Sequence, residues 1–441
     1  MVNNAELMQK AFEKTVDEDL LLDCMRCGFC LPACPTYIHT NAEEAHSPRG
    51  RIALMKAVRD GKVVWDASIE ESFNMCLGCR ACEPACPAGV QYGPLIEQTR
   101  HAIQLGKTRK PLEKAVRGAT FDGLFANQKA MTGAVNLIRF YQKSGLQKVT
   151  RKIGFLNLFP PFMKEMEGVL PEPAKKSLPA LPQLPKKQMH VSFFSGCLMD
   201  TLFLETNRKT IALLEMLGAK VTIPKQQQCC GALHGHSGEM DKAKRNARAN
   251  LDVFTDDSVD YIVNNAGGCG AFLAEYDHHL AHDPVYEERA KIFTEKQIDL
   301  SSLLVKLGLP EFLQTLQPAA RKKITYQDSC HLRNVNGVSE EPRQILKSMT
   351  GFEYEELVGA NICCGSAGIY NILQPEMADA ILETKMQHVQ DINPDIVVTA
   401  NPGCLMQMQK GIQSTCSHHG DQTATHIADL VFDYIVENTS V

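Results

Sequence analysis

The sequence predicts a protein of mixed α+β and α/β class, in which a helical N-terminal domain with two cysteine runs precedes a duplicated α/β cysteine-rich domain. Three observations predict it. The spacing C-x2-C-x2-C-x3-C-P occurs twice within residues 24–87. Five prolines fall within residues 171–188, the composition of an extended linker. Beyond the linker, β-rich and helical stretches alternate in two copies, each with an adjacent pair of cysteines.

The two cysteine runs are the first predicted element. CMRCGFCLPACP contains Cys24, Cys27, Cys30 and Cys34, and CLGCRACEPACP contains Cys76, Cys79, Cys82 and Cys86. Three thiolates spaced by two residues can bind one face of a [4Fe–4S] cube, while the fourth points away. Both runs have the spacing of bacterial two-cluster ferredoxins. We therefore predict a helical ferredoxin-like domain over residues 1–100 with two [4Fe–4S] clusters.

The resemblance to ferredoxins also implies which cysteines act together, because there the fourth cysteine of each run ligates the other cluster. The expected ligands of the first cluster are Cys24, Cys27, Cys30 and Cys86. Those of the second cluster are Cys76, Cys79, Cys82 and Cys34.

Zinc is the alternative metal for these runs, since C-x2-C pairs also form four-cysteine zinc sites. Zinc would leave the third cysteine and the proline of each run unexplained. Disulfides fit less well, because spacings this short favour chelation over loop closure. The pattern favours iron–sulfur clusters and leaves zinc open.

The segment between the runs and the segment after them are predicted to be helical. Ser47-Pro48 is expected to begin a helix that ends at Gly61. Residues 101–188 form a basic helical segment with an apolar tip, GFLNLFPPFM, and then the proline-rich linker. Such a tip could touch a membrane surface, but packing on a neighbouring domain is the interpretation we favour.

Residues 189–318 and 319–441 are predicted to be two copies of one α/β unit. MHVSFFSGC, QQQCCG and YIVNNAGGC in the first copy correspond to KITYQDSC, NICCG and DIVVTANPGC in the second. Each copy begins and closes with a strand that has a cysteine just after its C-terminal end. Open α/β sheets place their ligand-binding sites at these ends of the strands. The cysteines of the first copy are Cys197, Cys229, Cys230 and Cys269. Those of the second are Cys330, Cys363, Cys364 and Cys404.

Four thiolates suffice for one cluster, so one or two further iron–sulfur clusters are expected in the repeats. Gly231 and Gly365, which follow the doublets, are expected to adopt positive φ so that the two sulfurs can converge. Burial of free cysteines would explain single positions, but not a doublet that recurs in register. Cys416 has no counterpart and is predicted to be a free thiol.

Several polar residues near these cysteines have open roles. His234, His236 and His331 lie close to them in sequence, and a structural role is the favoured interpretation. Arg49 and Arg51 could offset the charge of a cluster or form surface salt bridges.

Composition excludes several classes of function. The formal charge of −5 and the lack of a long basic run argue against nucleic acid as a partner. Without a long apolar run or a signal-peptide pattern, the chain is expected to be cytoplasmic, with at most peripheral contact at the inner face of the membrane. No G-x-G-x-x-G after a predicted strand and no P-loop occur, so no flavin is expected on this chain.

Taken together, the cysteine runs, the segment SPRGRI and the repeat motifs AGGCGAFLAEY, CCGSAGIY and TANPGC resemble the iron–sulfur subunit family of glycolate oxidase, or glycolate dehydrogenase. The second half also resembles the cysteine-rich (CCG) domains of lactate-utilisation proteins, of the anaerobic glycerol-3-phosphate dehydrogenase membrane-anchor subunit and of the cysteine-rich subunit of heterodisulfide reductase. In the last of these, each repeat ends in a C-x2-C pair, whereas here Cys269 and Cys404 stand alone and Phe272 and Gln407 occupy the position of the second cysteine.

The resemblance implies an electron-transfer subunit of a flavin-dependent 2-hydroxy-acid dehydrogenase, most directly for glycolate. Its expected partners are FAD-binding subunits and an acceptor such as quinone, and the isolated chain is not expected to oxidise the hydroxy acid. A disulfide reductase like heterodisulfide reductase, a lactate-utilisation subunit and a structural metal protein are the alternatives.

Overall fold

The computed structural model describes residues 4–125, 127–159, 161–175, 177–185, 189–317, 322–415 and 422–439. The domain boundaries predicted at residues 188 and 318, and the predicted free thiol Cys416, lie outside the described residues. The predicted class is confirmed, since a helical N-terminal part precedes two α/β units with parallel sheets.

The N-terminal part consists of six helices around an apolar core that contains Phe12, Met55 and Phe73. Helix α4 begins as the sequence predicts, because the Ser47 hydroxyl accepts a hydrogen bond from the Gly50 amide at 3.0 Å. The cysteine runs form the loops between α2 and α3 and between α5 and α6. The helices are α1 (Asn4–Thr15), α2 (Glu18–Leu22), α3 (Pro35–His39), α4 (Pro48–Arg59), α5 (Ala67–Asn74) and α6 (Tyr92–Gly106), with a 3-10 turn at Glu44–His46.

A helical segment connects this part to the repeats. Met131 and Val135 are buried, while Arg139 donates to the carbonyl of Thr201 in the first repeat at 2.6 Å. The segment contains α7 (Pro111–Arg117), a π-helical turn (Gly118–Leu124), α8 (Gln128–Lys143), α9 (Leu146–Lys152), a 3-10 turn (Phe155–Leu158) and α10 (Pro161–Gly168). In the linker that follows, Leu181 packs into the core of the repeats. None of the described helices is both long and apolar enough to cross a membrane.

The first repeat is a four-stranded parallel sheet of order β2-β1-β3-β4. Its strands are β1 (His190–Phe193), β2 (Lys220–Thr222), β3 (Tyr261–Asn264) and β4 (Gln297–Asp299). Its helices are α11 (Leu204–Met216), α12 (Ala232–His236), α13 (Met240–Val253), α14 (Gly267–Leu273), α15 (Tyr276–His279), α16 (Glu287–Lys296), α17 (Leu300–Lys306) and α18 (Leu309–Leu313).

The second repeat has the same parallel topology, with the order β6-β5-β7-β8. Its strands are β5 (Lys322–Tyr326), β6 (Phe352–Tyr354), β7 (Ile396–Thr399) and β8 (Thr423–His426). Its helices are α19 (Cys330–Asn334), α20 (Glu340–Ser348), α21 (Tyr370–Leu373), α22 (Pro375–Ile392), α23 (Pro402–Thr415) and α24 (Ile427–Asn438).

Each repeat extends beyond the strand that was expected to close it. A fourth strand and further helices follow β3 and β7, and apolar residues of both sheets, including Val191, Val263, Ile324 and Val398, belong to one continuous core. In both sheets the chain reverses its direction of strand addition between the two central strands. Cysteines that follow these strands therefore lie at the switch point where such sheets place their sites.

Candidate metal centres

The four cysteines expected to hold the first cluster lie at or near the protein surface. Cys27 is exposed, whereas Cys24, Cys30 and Cys86 are half-buried and pack against the edge of the N-terminal core. The large side chains of the run and its surroundings are also exposed, namely Leu22, Met25, Phe29 and Ile38. A partner protein can therefore approach this group directly.

The backbone of the two runs has the same unusual shape. The residues on both sides of the second cysteine of each run have positive φ angles. They are Arg26 (56°) and Gly28 (92°) around Cys27, and Gly78 (66°) and Arg80 (59°) around Cys79. Two of these residues are not glycine, so each run accepts some backbone strain to bend around its cysteines. Such alternation turns successive amides towards one side, as in anion-binding loops. The Gly78 amide donates to the Cys76 sulfur at 3.3 Å.

The second run gathers a buried group that includes one cysteine of the first run. Cys34, Cys76, Cys79 and Cys82 are all buried and line one small cavity. Burial raises the pKa of the Cys82 thiol well above its usual range, and Cys79, Cys76 and Cys34 add to that effect. The structure thus brings together the four residues expected to hold the second cluster.

A fully buried arginine lies within this second group. Arg51 is 1% exposed and directs one guanidinium nitrogen to the Cys34 sulfur at 3.9 Å and another to the Thr36 hydroxyl at 3.0 Å. Burial opposes its charge, yet Cys76, Tyr92 and Cys34 raise the pKa of Arg51 above its ordinary value. Burial also raises the pKa of Cys76, but Arg51 and Arg100 more than reverse this effect and lower it. Of the two roles open for Arg51, the structure supports charge compensation.

In the first repeat all four cysteine side chains converge. The sulfurs of Cys197 and Cys229 are 3.7 Å apart, Cys229 contacts Cys230, and Cys230 contacts Cys269. Three of them are buried, and Cys269 is half-buried. Hydrogen bonding to Cys229, reinforced by burial, holds the pKa of Cys197 well above its usual range.

The second repeat repeats this convergence. Cys363 contacts Cys330 and Cys364, and Cys364 contacts Cys404, with all four thiols buried. Hydrogen bonds from Cys363 and Cys404 hold the pKa of Cys364 well below its usual range. Asn401 donates to the Cys404 sulfur at 3.5 Å and accepts from the Gly268 amide of the first repeat at 3.0 Å. Asn401 therefore joins the two groups, a role that its sequence position does not reveal.

The predicted glycine turns are confirmed. Gly231 has φ of 101° and Gly365 has φ of 88°. A Cβ atom on Gly365 would lie 2.6 Å from the carbonyl oxygen of Ala378, so this position tolerates neither the conformation nor the volume of a side chain.

Replacement of Gly365 by alanine is expected to lower the free energy of unfolding by about 3 kcal/mol or more, because left-handed strain and a backbone clash add together. Gly337→Ala is the matched control, since Gly337 has φ of 70° and open space around its Cβ position. It should cost only about 1 kcal/mol. Urea unfolding followed by circular dichroism measures both, and equal losses would contradict the close packing at Gly365.

The two repeats differ in the charge beside their doublets. Ala243 and Ala378 occupy equivalent positions against the two glycines, and seven residues further lie Asn250 and Lys385. Asn250 donates to the carbonyl of Cys229 at 3.2 Å. Lys385 is buried and donates to the carbonyl of Gly359, and burial lowers its pKa to about 8 although Cys364 and Cys363 raise it. A buried cation thus accompanies only the second of these two thiol groups.

The buried group of the second run packs directly on the second repeat. Cys79 and Cys330 belong to one buried cluster, and Cys330 raises the pKa of Cys79 further above the level set by burial. Asn334 donates to the carbonyl of Cys79 at 2.9 Å, and the Tyr370 hydroxyl donates to the carbonyl of Met75 at 2.9 Å. These contacts fix two thiol groups next to each other across the domain boundary.

The histidines near the cysteines mostly make structural contacts. His234 contacts the carbonyl of Phe121 at 2.9 Å, and His236 contacts the Glu97 carboxylate at 2.9 Å. His331 differs, because its Nδ1 lies 3.6 Å from the Cys330 sulfur and its ring is 5.0 Å from that of His236.

The donor set fits iron–sulfur clusters better than other metals. Soft thiolates in groups of four, with hydrogen bonds to the sulfurs, are the ligands and surroundings that such clusters use. Among the described residues, no set of three or more His, Cys, Asp or Glu side chains is arranged to hold a single metal ion. When bound, the clusters would supply one-electron transfer.

Models of known families match most of the chain. A model described as 4Fe-4S dicluster domain matches residues 20–90, and one described as glycolate oxidase iron-sulfur subunit, linker region, matches residues 112–170. A cysteine-rich domain model matches residues 191–274 and 324–409. These matches indicate that the chain carries iron–sulfur clusters.

Similar proteins include two that cover nearly the full length of the chain and one that covers about half of it. A probable glycolate oxidase iron-sulfur subunit of Bacillus subtilis is 50% identical over 438 residues, 98% of each chain. The glycolate oxidase iron-sulfur subunit of Escherichia coli is 31% identical over 418 residues, 94% of this chain and 95% of that one. Lactate utilization protein A of Halalkalibacterium halodurans is 33% identical over 226 residues, 51% of this chain and 90% of that one. The protein thus belongs to the glycolate oxidase iron–sulfur subunit family.

Proposed function

We propose that the chain is the electron-transfer subunit of a glycolate dehydrogenase complex, in which FAD-binding subunits oxidise glycolate and this subunit passes the electrons to an acceptor such as quinone. Membership of the family supports this function over a disulfide reductase, and the lactate-utilisation relative matches only about half of the chain. The isolated subunit is not itself the catalyst of hydroxy-acid oxidation.

We assign the ligands as the sequence predicts, with crossed sharing of Cys34 and Cys86 between the two ferredoxin-type clusters. The burial of Cys34 together with Cys76, Cys79 and Cys82 supports this assignment. The convergence of four thiols in each repeat supports one further cluster per repeat. Four clusters would contain about sixteen irons per chain.

The contact between Cys79 and Cys330 carries the proposal. The surface around the exposed Cys27 is the part that a flavin-binding partner can reach, and the second run adjoins the second repeat. Arg51 and Lys385 stabilise negative charge at these two buried groups. The hydrogen bonds of Asn334 and Tyr370 fix the position of the second run against the second repeat. The arrangement suits relay of electrons from the surface into the repeats.

The chain should be purified anaerobically, alone and in complex with its FAD-binding subunits, with iron and flavin counted in each. Glycolate is expected to bleach the visible absorbance of the clusters in the complex and to leave the isolated chain unchanged. Lactate, added in parallel, identifies the preferred hydroxy acid. Oxidation of glycolate by the isolated chain with an artificial acceptor would overturn the proposal.

A further inference from the structure

Residues 137–159 form a surface that combines exposed apolar side chains with positive charge. Between residues 123 and 164 the sequence has no Asp or Glu, although the whole chain has 51 of them. Eight of the 24 exposed large apolar side chains of the described residues fall within residues 137–159. They are Leu137, Phe140, Leu146, Val149, Ile153, Phe155, Leu158 and Phe159. We call this set the apolar surface.

The apolar surface has a regular helical arrangement in α9. Leu146, Val149 and Ile153 lie at positions i, i+3 and i+7, so they share one face of the helix, and all three are exposed. Leu158, in the following turn, is 81% exposed. The rings of Phe155 and Phe159 pack against each other with centroids 5.3 Å apart. Exposed apolar side chains therefore recur along α9 and the turn that follows it.

Polar side chains of the same segment join its helices to one another. Tyr141 and Thr150 join their hydroxyl groups at 2.6 Å, and Gln147 donates to the Glu167 carboxylate at 2.7 Å, in partly buried contacts. Helix α10 is in turn held to the second repeat through an ion pair of Glu165 with Lys410 at 2.8 Å. The helices are thus held together through polar side chains and attached to the second repeat through α10, while the apolar side chains remain exposed.

The charges around the apolar surface are positive. Arg151 is paired with Glu167, whereas Lys143, Lys148 and Lys152 extend into solvent. A helical segment with lysine beside an exposed apolar face is the arrangement that lies in the headgroup region of a bilayer. Lysine side chains there reach the headgroups while their stems cover apolar surface.

We propose that residues 137–159 bind the surface of a membrane that contains anionic lipids. The apolar surface enters the boundary between headgroups and acyl chains, and the lysines contact the lipid phosphates. Local charge complementarity argues for lipid, because the basic segment stands out in a chain of net charge −5. The proposal concerns this surface alone and does not depend on electron transfer.

The test is sedimentation of the purified, cluster-loaded chain with phosphatidylcholine vesicles, with and without phosphatidylglycerol. Binding is expected only with phosphatidylglycerol and should weaken as sodium chloride rises. The double variant Ile153→Asp, Leu158→Asp should reduce the partition coefficient by about tenfold or more. In the double variant Lys148→Glu, Lys152→Glu, phosphatidylglycerol should no longer increase binding to the vesicles.

Val285→Asp, Val358→Asp is the matched control, because both valines are exposed apolar residues of the repeats, outside the apolar surface. It should bind vesicles like the unchanged chain. Visible absorbance and circular dichroism establish that each variant is folded and loaded. Equal binding by all variants, or no binding to anionic vesicles, would overturn the proposal. Loss of the FAD-binding partner in the Ile153→Asp, Leu158→Asp variant, with vesicle binding intact, would show a protein interface instead.

Discussion

Replacing Cys34 by serine is expected to remove the cluster of the second run and to spare that of the first. Cys34 is buried with Cys76, Cys79 and Cys82, although it belongs to the first run in sequence. A serine hydroxyl is a harder and poorer ligand for iron than a thiolate. Iron content should fall by about four atoms per chain.

Paired variants identify which cluster is lost. The low-temperature EPR spectrum of reduced Cys34→Ser should match that of Cys82→Ser, and the spectrum of Cys86→Ser should match that of Cys27→Ser. Cys27 is exposed, so its replacement removes a ligand without disturbing the core. A Cys34→Ser spectrum that instead matches Cys27→Ser would show that each run binds its own cluster.

Replacing Arg51 by methionine is expected to lower the reduction potential of the second-run cluster by on the order of 100 mV. Reduction adds negative charge, which the guanidinium 3.9 Å from the Cys34 sulfur stabilises. At an effective dielectric constant of about 20, a charge at such a distance contributes a few kcal/mol, and about 60 mV corresponds to a tenfold change for one electron. An EPR-monitored redox titration measures the shift.

Arg51→Lys is the control for charge. It should retain most of the potential while losing hydrogen bonds, because Arg51 also donates to the carbonyl of Ser72 at 2.6 Å and to the Thr36 hydroxyl. Both variants should therefore lose about 2–4 kcal/mol of stability, but only the methionine variant should shift the potential strongly. If both variants kept the reduction potential of the unchanged chain, Arg51 would have a purely structural role.

Local features were predictable where the chemistry lies within a few residues. Ser47 and Pro48 begin α4 because a hydroxyl cap and a fixed φ act on the next turn. Gly365 adopts positive φ because two adjacent cysteines must turn towards one point. The strands β2, β4, β6 and β8 were missed, since no cysteine of the pattern that revealed the repeat follows directly after any of them.

Packing against distant residues could not be inferred from spacing. The segment before the linker was expected to be covered by a neighbouring domain, and α8 does bury Met131 and Val135. Leu137 and Phe140 of the same helix nevertheless remain exposed. Helical periodicity predicts that a helix has an apolar side, but it does not predict how much of that side is covered by a neighbouring domain.

The sequence by itself determined the two cysteine runs, the duplication and the doublet turns, because ligand spacing and internal repetition are properties of the chain. Only the tertiary structure decided that Cys79 lies against Cys330, that Arg51 is buried beside Cys34, and that Lys385 replaces Asn250 beside a doublet. These contacts join residues far apart in sequence, and they depend on how the domains pack. The charge around each thiol group and the order of the groups in space therefore follow from the fold.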